Sequence, residues 1–181
     1  MRVGIVMGSA SDLATVEKAT AQLDEFGVDY EVHVLSAHRS PHEAADFAAN
    51  ARENGIGVII AAAGMAAHLA GAMAANTTLP VIGIPLTSNA LDGMDALLAT
   101  VQMPSGIPVA TVAIDGAKNA AILAVQILAL GNEELTTKIN DHRAAATEAS
   151  LAANAEVEAK FAGTSRPGSP QASIRQPAST D

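Results

Sequence analysis

Short apolar segments alternate with longer amphipathic segments along the first 130 residues. Five short segments have the length and near-continuous hydrophobicity of buried strands, namely Val3–Met7, Asp29–Leu35, Val58–Ala62, Pro80–Ile84 and Pro108–Ile114. The segments with a helical pattern are Asp12–Phe26, Pro41–Asn54, Ala66–Ala75, Gly93–Val101 and Ala117–Leu130. Apolar strands that alternate with helices are typical of a parallel sheet covered on both faces. We therefore predict a flavodoxin-like, doubly wound α/β fold, with a five-stranded parallel sheet as the middle of three αβα layers.

The pattern changes after Gly131. The segment Glu133–Phe161 is polar and rich in Ala, which predicts a long C-terminal helix lying on the domain surface or against another subunit. From residue 162 to residue 181, Gly, Pro, Ser and Thr replace almost all bulky apolar residues, and we expect a disordered tail there. The predicted organisation is thus one catalytic α/β domain over 1–161, with its C-terminal helix at about 133–161, followed by a tail over 162–181.

Composition narrows the functional classes. The chain is 49% hydrophobic but only 2% aromatic, so its core depends on Ala and small aliphatic side chains that bury little area each, and further burial between subunits is expected. A net charge of −9 argues against a general nucleic-acid or anionic-membrane surface. The absence of Cys excludes disulfides and thiolate chemistry and is compatible with a cytoplasmic protein. No apolar run reaches about 18 residues, so we expect a soluble protein without a spanning helix.

The first candidate site follows the first predicted strand. Gly8 permits a tight turn there, and Ser9, Ser11 or Asp12 can cap the next helix. Backbone N–H groups at a helix start also attract phosphate. The segment is neither a P-loop nor a dinucleotide fingerprint, so it is either a plain helix cap or a ligand-binding turn.

The second candidate follows the second predicted strand. Pro41 suits the first helical position, which makes Ser40 the expected N-cap. His38 and Arg39 then have no obvious structural task. The planar guanidinium of Arg39 suits phosphate, and the imidazole of His38 can transfer a proton near neutral pH. A polar surface histidine is the alternative interpretation of His38.

Two further segments are weaker candidates. Small residues from Ala61 to Ala67 allow close approach of the backbone to a ligand, and His68 just inside the next predicted helix either caps it, packs or catalyses. The loop Gln102–Pro108 contains two Pro and one Gly, which a rigid connection also requires. The acidic residues nearby show no metal-ligand spacing, and no Ser–His–Asp arrangement is evident.

Taken together and in this order, the segments resemble the PurE family, the N5-carboxyaminoimidazole ribonucleotide mutases of purine biosynthesis. The resemblance runs from about Val3 to Arg143. It is carried by Gly8-Ser9-x-Ser11-Asp12, Ser36-Ala37-His38-Arg39-Ser40-Pro41, Ala66-Ala67-His68-Leu69 and Val101-Gln102-Met103-Pro104-x-Gly106-Ile107-Pro108-Val109-Ala110-Thr111. Two positions depart from the family pattern: Met65 stands where Gly is common, and Ala70 where Pro is common.

The resemblance implies a role for each site residue. Ser9, Ser11, Asp12 and Arg39 would bind the ribonucleotide, and His38 would be the general acid and base. The pocket for base and carboxylate would be lined by Ser36, Gly64, Ala67, His68 and Leu69. The resemblance further implies no metal or organic cofactor. It also implies a homo-octamer with its sites at subunit contacts, where the loop Gln102–Gly106 reaches a neighbour.

Other functions remain open on the sequence alone. The sister reaction of the same family carboxylates aminoimidazole ribonucleotide directly with free carbon dioxide. A nucleotide- or flavin-binding module without catalysis would have the same sheet, because a fold does not determine a function.

Overall fold

Residues 1–162 are described by the structure, a computed structural model, and they confirm the alternation of strands and helices. The strands are β1 (Arg2–Met7), β2 (Tyr30–Val34), β3 (Ile56–Gly64), β4 (Val81–Leu86) and β5 (Ala110–Thr111). The helices are α1 (Leu13–Phe26), α2 (Pro41–Asn50), α3 (Leu69–Ala75), α4 (Met94–Val101), α5 (Ala117–Ala129) and α6 (Glu133–Phe161). A short 3-10 turn over Ala10–Asp12 precedes α1.

All neighbouring strands run parallel, in the order β2-β1-β3-β4-β5. This is the flavodoxin-like strand order. Buried side chains of α1 and α5 pack against one face of the sheet, and those of α2 and α3 pack against the other. The predicted three-layer α/β fold is therefore confirmed.

The two faces of the sheet follow from alternation along the strands. In β1, Ile5 belongs to the core cluster under α1 and α5, whereas its neighbour Val6 belongs to the cluster under α2 and α3. Both side chains are fully buried. Because successive side chains of a strand point to opposite faces, a central strand needs apolar residues at nearly every position.

Small residues set how closely the layers approach. Ala120, Ala121 and Ala124 of α5 are fully buried, so that helix packs on the sheet through methyl groups. A Cβ added at Gly83 in β4 would lie 2.4 Å from Thr100 Cγ2 and 3.1 Å from Val109 Cγ1. The scarcity of aromatic residues thus corresponds to close backbone packing.

Several predicted boundaries were wrong; helix α2, for example, ends at Asn50 and not at Asn54. The fifth strand was expected over Pro108–Ile114, but only Ala110 and Thr111 pair with β4. It is the edge strand, and Pro108 has no N–H to donate. Helix α3 begins at Leu69, three residues later than expected, because the backbone makes a tight turn first.

The described chain divides into two units, Met1–Asn140 and a second unit that begins at Asp141. Helix α6 confirms the predicted long C-terminal helix, and Leu135 in its first turn is buried in the core of the first unit. The side chain of Lys138 donates to the carbonyl of Phe26 at 3.0 Å and pairs with Glu134 at 2.8 Å. The hydrogen bond from Lys138 to Glu134 and the positive charge of the ammonium lower the pKa of the exposed Glu134 carboxyl.

In the second unit, residues 141–161 continue α6. A single catalytic domain over 1–161 stays a prediction, and the tail predicted for 162–181 lies almost entirely outside the described residues. Within residues 1–162, no helix is both long enough and apolar enough to cross a membrane.

We expect Gly83→Ala to lower the free energy of unfolding by about 1–3 kcal/mol, because the new methyl group overlaps Thr100 and forces the surrounding core to move. Urea unfolding followed by circular dichroism measures the change. Gly131→Ala is the matched control, since a Cβ there meets nothing within 4 Å. Equal midpoints for both variants would contradict the packing argument.

Candidate active site

The loops that follow β1, β2, β3 and β4 meet around one cleft of about 320 Å³. This volume lies in the range of small-molecule sites. Parallel strands present their carboxyl ends at a single edge of the sheet, which is where ligands bind in open α/β folds. The cleft is lined by Gly8, Ser9, Ser11, Asp12, Ser36, Ala37, His38, Arg39, Ala63, Gly64, Met65, Ala66, Leu69, Leu86, Thr87 and Ser88.

Ser9 and Asp12 fix the loop after β1 through a capping box. The Ser9 N–H donates to Asp12 Oδ2 at 3.0 Å, and Ser9 Oγ accepts from the Ser11 N–H at 3.3 Å. The Ser11 hydroxyl contacts Ser9 Oγ at 2.8 Å and Asp12 Oδ1 at 3.2 Å. The cap interpretation and the ligand interpretation of the sequence are therefore compatible, since the capping residues also line the cleft.

Ser36 organises the loop after β2. Its side-chain oxygen accepts from the backbone N–H groups of His38 and Arg39 at 3.3 and 3.2 Å, and from Arg39 Nε at 3.4 Å. Ser40 occupies the predicted N-cap position of α2, but its hydroxyl binds back to Ser36 instead of capping the helix. A buried serine thus directs the following His-Arg pair toward the cleft.

Arg39 joins the first two loops. Its Nη2 donates to the carbonyl of Gly8 at 2.7 Å, while its Nε points to Ser36. These contacts hold the plane of the guanidinium, and a planar group held in this way is suited to bidentate recognition of an anion.

His38 and His68 lie in direct contact. His38 Nε2 is 2.8 Å from His68 Nδ1, and the two rings meet edge to face at a centroid distance of 5.0 Å. A hydrogen bond at this distance requires one nitrogen to donate and the other to accept, so one proton lies between the rings. His68 is at the N-cap of α3, one residue before the helix and not inside it.

The loop after β4 was missed by the sequence reasoning. Leu86, Thr87 and Ser88 line the cleft, and Asp115 holds this loop in place. The Thr87 N–H donates to Asp115 Oδ1 at 3.0 Å, and the Thr87 hydroxyl donates to Oδ2 at 2.5 Å. The sequence contained a signal for this loop, because Thr87 is a polar residue just after an apolar predicted strand, as Ser9 and Ser36 are.

Two predicted site segments do not line the cleft. Ala67 is buried and His68 reaches the site only through His38, so a direct substrate contact by either residue stays a prediction. Gly106, Ile107 and Pro108 line a second cleft of about 990 Å³, at the amino ends of the strands. Within this chain, the loop Gln102–Pro108 is therefore separate from the candidate site.

The arrangement combines three chemical capabilities in one small volume. A guanidinium and serine hydroxyls can hold an anion, a carboxylate can accept from hydroxyl groups, and an imidazole pair can transfer a proton. Among residues 1–162, no group of three or more His, Cys, Asp or Glu side chains is placed to hold a metal ion. The site is thus equipped to bind a phosphorylated, hydroxylated small molecule and to move a proton on it.

The comparisons with known proteins agree with this geometry. The sequence model of the AIR carboxylase family matches residues 2–149. The chain is 56% identical over 142 residues to the N5-carboxyaminoimidazole ribonucleotide mutase of Pyrococcus abyssi. This match covers 78% of this chain and 82% of the relative. It is 55% identical over 154 residues to the protein of the same name from Vibrio parahaemolyticus, and that match covers 84% of this chain and 96% of the relative.

Solved structures match as well. A crystal structure of Treponema denticola PurE superposes with a TM-score of 0.73 at 28% sequence identity, and the match covers 88% of this chain and 97% of that one. The matched regions contain the four loops that build the cleft. The chain belongs to the AIR carboxylase family.

Proposed function

We propose that this protein interconverts N5-carboxyaminoimidazole ribonucleotide and 4-carboxy-5-aminoimidazole ribonucleotide, the mutase step of purine biosynthesis. One observation carries the proposal: His38 lies in the same cleft as Ser9, Asp12 and Arg39, on a chain 53–58% identical to mutases. An anion site and a proton-transfer group must be this close together to act on one ribonucleotide.

The ribonucleotide is held at the polar end of the cleft. Arg39 and the hydroxyls of Ser9 and Ser11 bind the 5′-phosphate, because a held guanidinium and hydroxyl donors match phosphate oxygens. Asp12 accepts from the ribose hydroxyls. A carboxylate repels phosphate, so the ribose hydroxyls and not the phosphate oxygens face Asp12.

The aminoimidazole ring lies toward the loops after β2 and β3. Ser36, Gly64 and Leu69 line this part of the cleft, and Ala67 and His68 are proposed to contact the substrate there as well. Gly64 has no side chain, so its backbone is accessible to a flat ring in the cleft. Among the described residues, no Phe, Tyr or Trp lines the cleft, so hydrogen bonds and small side chains orient the ring.

His38 acts as both general acid and general base. The bond between the carboxyl carbon and the exocyclic nitrogen breaks, carbon dioxide leaves, and His38 donates its proton to that nitrogen. Ring carbon C4 then attacks the retained carbon dioxide, and neutral His38 removes the C4 proton to restore aromaticity. The proton lost in the first step is regained in the second, so the enzyme returns to its starting state.

His68 orients the catalytic ring. Its Nδ1 restrains His38 Nε2 at 2.8 Å, and it accepts or donates the shared proton as His38 changes its protonation state. A partner that fixes the tautomer of a catalytic histidine is a common requirement for proton transfer.

The proposed assembly is a homo-octamer, supported by an apolar face of α4. Met94, Leu98 and Val101 recur at helical spacing and expose 51%, 50% and 46% of their surface. Contiguous exposed apolar side chains mark interaction surfaces, and closed symmetric assemblies are the usual outcome for identical chains. In such an assembly the loop Gln102–Gly106 follows this face directly and reaches a neighbouring site.

The proposed location is the cytoplasm, with no nucleic-acid or membrane partner. The net charge of −9 argues against nucleic-acid and anionic-membrane partners. The absence of Cys in the sequence is compatible with the reducing cytoplasm.

Two substrates separate the mutase from the direct carboxylase. Without ATP, the purified protein is expected to convert N5-carboxyaminoimidazole ribonucleotide to the 4-carboxy product, measured by product absorbance or chromatography. Turnover of aminoimidazole ribonucleotide with bicarbonate, and not of the N-carboxylated substrate, would show the sister reaction instead. Binding of ribonucleotide without turnover of either would favour a binding module.

We expect His38→Asn to reduce kcat by about 10²–10⁴-fold, because asparagine cannot transfer the proton. The dissociation constant of the ribonucleotide, measured by calorimetry, should change only a few-fold, since Ser9, Asp12 and Arg39 are intact. His42→Asn is the control, because His42 is exposed in the first turn of α2 and does not line the cleft. Unchanged turnover in His38→Asn would exclude His38 as the acid and base.

We expect Leu98→Glu to break the octamer into smaller species, because a carboxylate cannot be buried unpaired in an apolar contact. Sedimentation velocity measures the effect against eight times the chain mass of 18.2 kDa. Leu130→Glu is the control, since Leu130 is 89% exposed at the end of α5 and not part of the α4 face. An octameric Leu98→Glu variant, or a monomeric unmodified protein, would refute this interface.

A further inference from the structure

The fifth strand leaves the sheet before the fourth strand ends. Strand β5 pairs with β4 as far as Gly83, whereas β4 continues to Leu86. The carbonyls of Gly83 and Pro85 both face the β5 side, where each accepts a backbone N–H. Because the backbone groups of a strand face its two neighbours in alternation, the N–H of Thr87 faces the same side. That donor needs an acceptor beyond the end of β5.

Asp115 supplies the hydrogen bonds that a longer β5 would make. Its own N–H donates to the Pro85 carbonyl at 2.9 Å. Its carboxylate accepts from the Thr87 N–H at 3.0 Å and from the Thr87 hydroxyl at 2.5 Å. One residue therefore holds β4 at Pro85 through its backbone and at Thr87 through its side chain.

Asp115 reaches this position through an irregular backbone. Val112 donates to Gly83 and Asp115 donates to Pro85, so the β5 side advances three residues while β4 advances two. The extra residue is accommodated in a turn, and the φ of Asp115 is +55°. Glycine fits this left-handed angle with less strain, but it has no side chain that could hold Thr87. The backbone angle alone therefore does not account for an aspartate here.

The end of β4 forms one wall of the proposed ring pocket. Leu86 pairs with Gly64, the last residue of β3, and both line the cleft. Thr87 and Ser88 continue this wall. The Ser88 hydroxyl oxygen is buried and has no hydrogen-bond partner within the described chain, so the Ser88 side chain does not hold the loop. The side-chain hydrogen bonds that do hold this wall run from Thr87 to Asp115.

We propose that Asp115 is a positioning residue of the reaction, which through Thr87 fixes the end of β4 as a wall against which the aminoimidazole ring aligns. The inference rests on the proposed mutase function and adds to it a residue from outside the cleft lining. With no Phe, Tyr or Trp among the described lining residues, the ring takes its alignment from such walls. A small displacement of the wall moves the reacting nitrogen and C4 away from His38.

Steady-state kinetics with N5-carboxyaminoimidazole ribonucleotide test this role. Asp115→Ala removes both acceptor oxygens, and we expect KM to rise about tenfold, because a wall that is not held aligns the substrate poorly. KM is the decisive quantity, since it does not depend on the fraction of molecules that are folded. Asp115→Asn keeps an acceptor for the Thr87 N–H and tolerates the backbone angle, so it should restore KM to within about threefold of the unmodified protein.

Asp92→Ala is the matched control. Asp92 also has a positive φ, of +51°, and it lies between β4 and α4. Within residues 1–162, its side chain makes no hydrogen bond and does not line the cleft. The substitution thus removes the same charge and places alanine at the same kind of backbone angle. Its KM should equal that of the unmodified protein, and circular dichroism compares the folding of the variants.

A double-variant cycle tests the route through Thr87. Thr87→Val removes the hydroxyl that donates to Asp115, and we expect KM to rise about threefold for the loss of one hydrogen bond. In the Asp115→Ala background the same change should raise KM no further, because the acceptor of that hydroxyl is already absent. If Asp115→Ala does not fold, Thr87→Val alone decides, and a KM equal to that of the unmodified protein refutes the inference.

Three results would overturn the inference and leave the mutase function intact. They are a KM of Asp115→Ala equal to that of Asp92→Ala, equal impairment of Asp115→Asn and Asp115→Ala, and an additive rise of KM in the double variant. A loss of stability or of kcat with unchanged KM belongs to the first case, since it shows a structural role only. If the unmodified protein does not turn over the substrate, the proposed function fails and this inference fails with it.

Discussion

The parallel pairing of every strand is the constraint on which the site depends. Parallel strands require a return crossover after each one, and here helices supply it, with α1 on one face of the sheet and α2 and α3 on the other. All carboxyl ends therefore lie at one edge, and loops separated by up to about 80 residues along the chain become neighbours. Ser9 and Thr87 show the result, since they line one cleft although β1 and β4 are far apart in sequence.

The site also depends on small residues, which let the helices pack closely on the sheet. Gly83 allows α4 and β5 to approach β4, and the methyl groups of α5 allow that helix to lie near the sheet. Each small residue buries less apolar area than a large one, so stability comes from many close contacts and, in the proposed octamer, from the α4 face. The composition, which is poor in large apolar side chains, is therefore consistent with closely packed layers and with the proposed association of subunits.

The sequence predicted β1 and α1 well from their hydrophobic pattern, and it predicted α6 from a long polar, Ala-rich segment. It failed where a local turn overrode the pattern. Ala66–His68 look helical, but positive φ at Met65 delays α3 to Leu69, and single-sequence periodicity contains no information on that angle. The loop after β2 was predicted with its cap position, yet the hydroxyl of Ser40 binds Ser36 instead of the helix.

Contacts across long sequence separations were the part that sequence could not supply. The pair His38–His68 joins residues 30 positions apart, and Thr87–Asp115 joins residues 28 apart. Each needs the finished sheet to bring its partners together. The sequence identified His38 and His68 separately as candidates. Their direct contact becomes visible only in the fold, where the loop after β2 and the loop after β3 meet beyond the end of β1.

Among the described residues, no Phe, Tyr or Trp lines the cleft, so the orientation of a bound ligand depends strongly on the polar end of the site. The ring of the proposed substrate gains little from stacking, so its orientation must come from groups that bind the sugar phosphate. Arg39 is held by hydrogen bonds to Gly8 and Ser36, and Ser9 and Asp12 are held by their capping box, so these groups are positioned by contacts within the protein itself. Binding energy realised at a remote phosphate can position a reacting carbon without touching it. In the proposed reaction these residues therefore contribute to the rate as well as to affinity, because the ring that they align must present nitrogen and C4 to the same imidazole in turn.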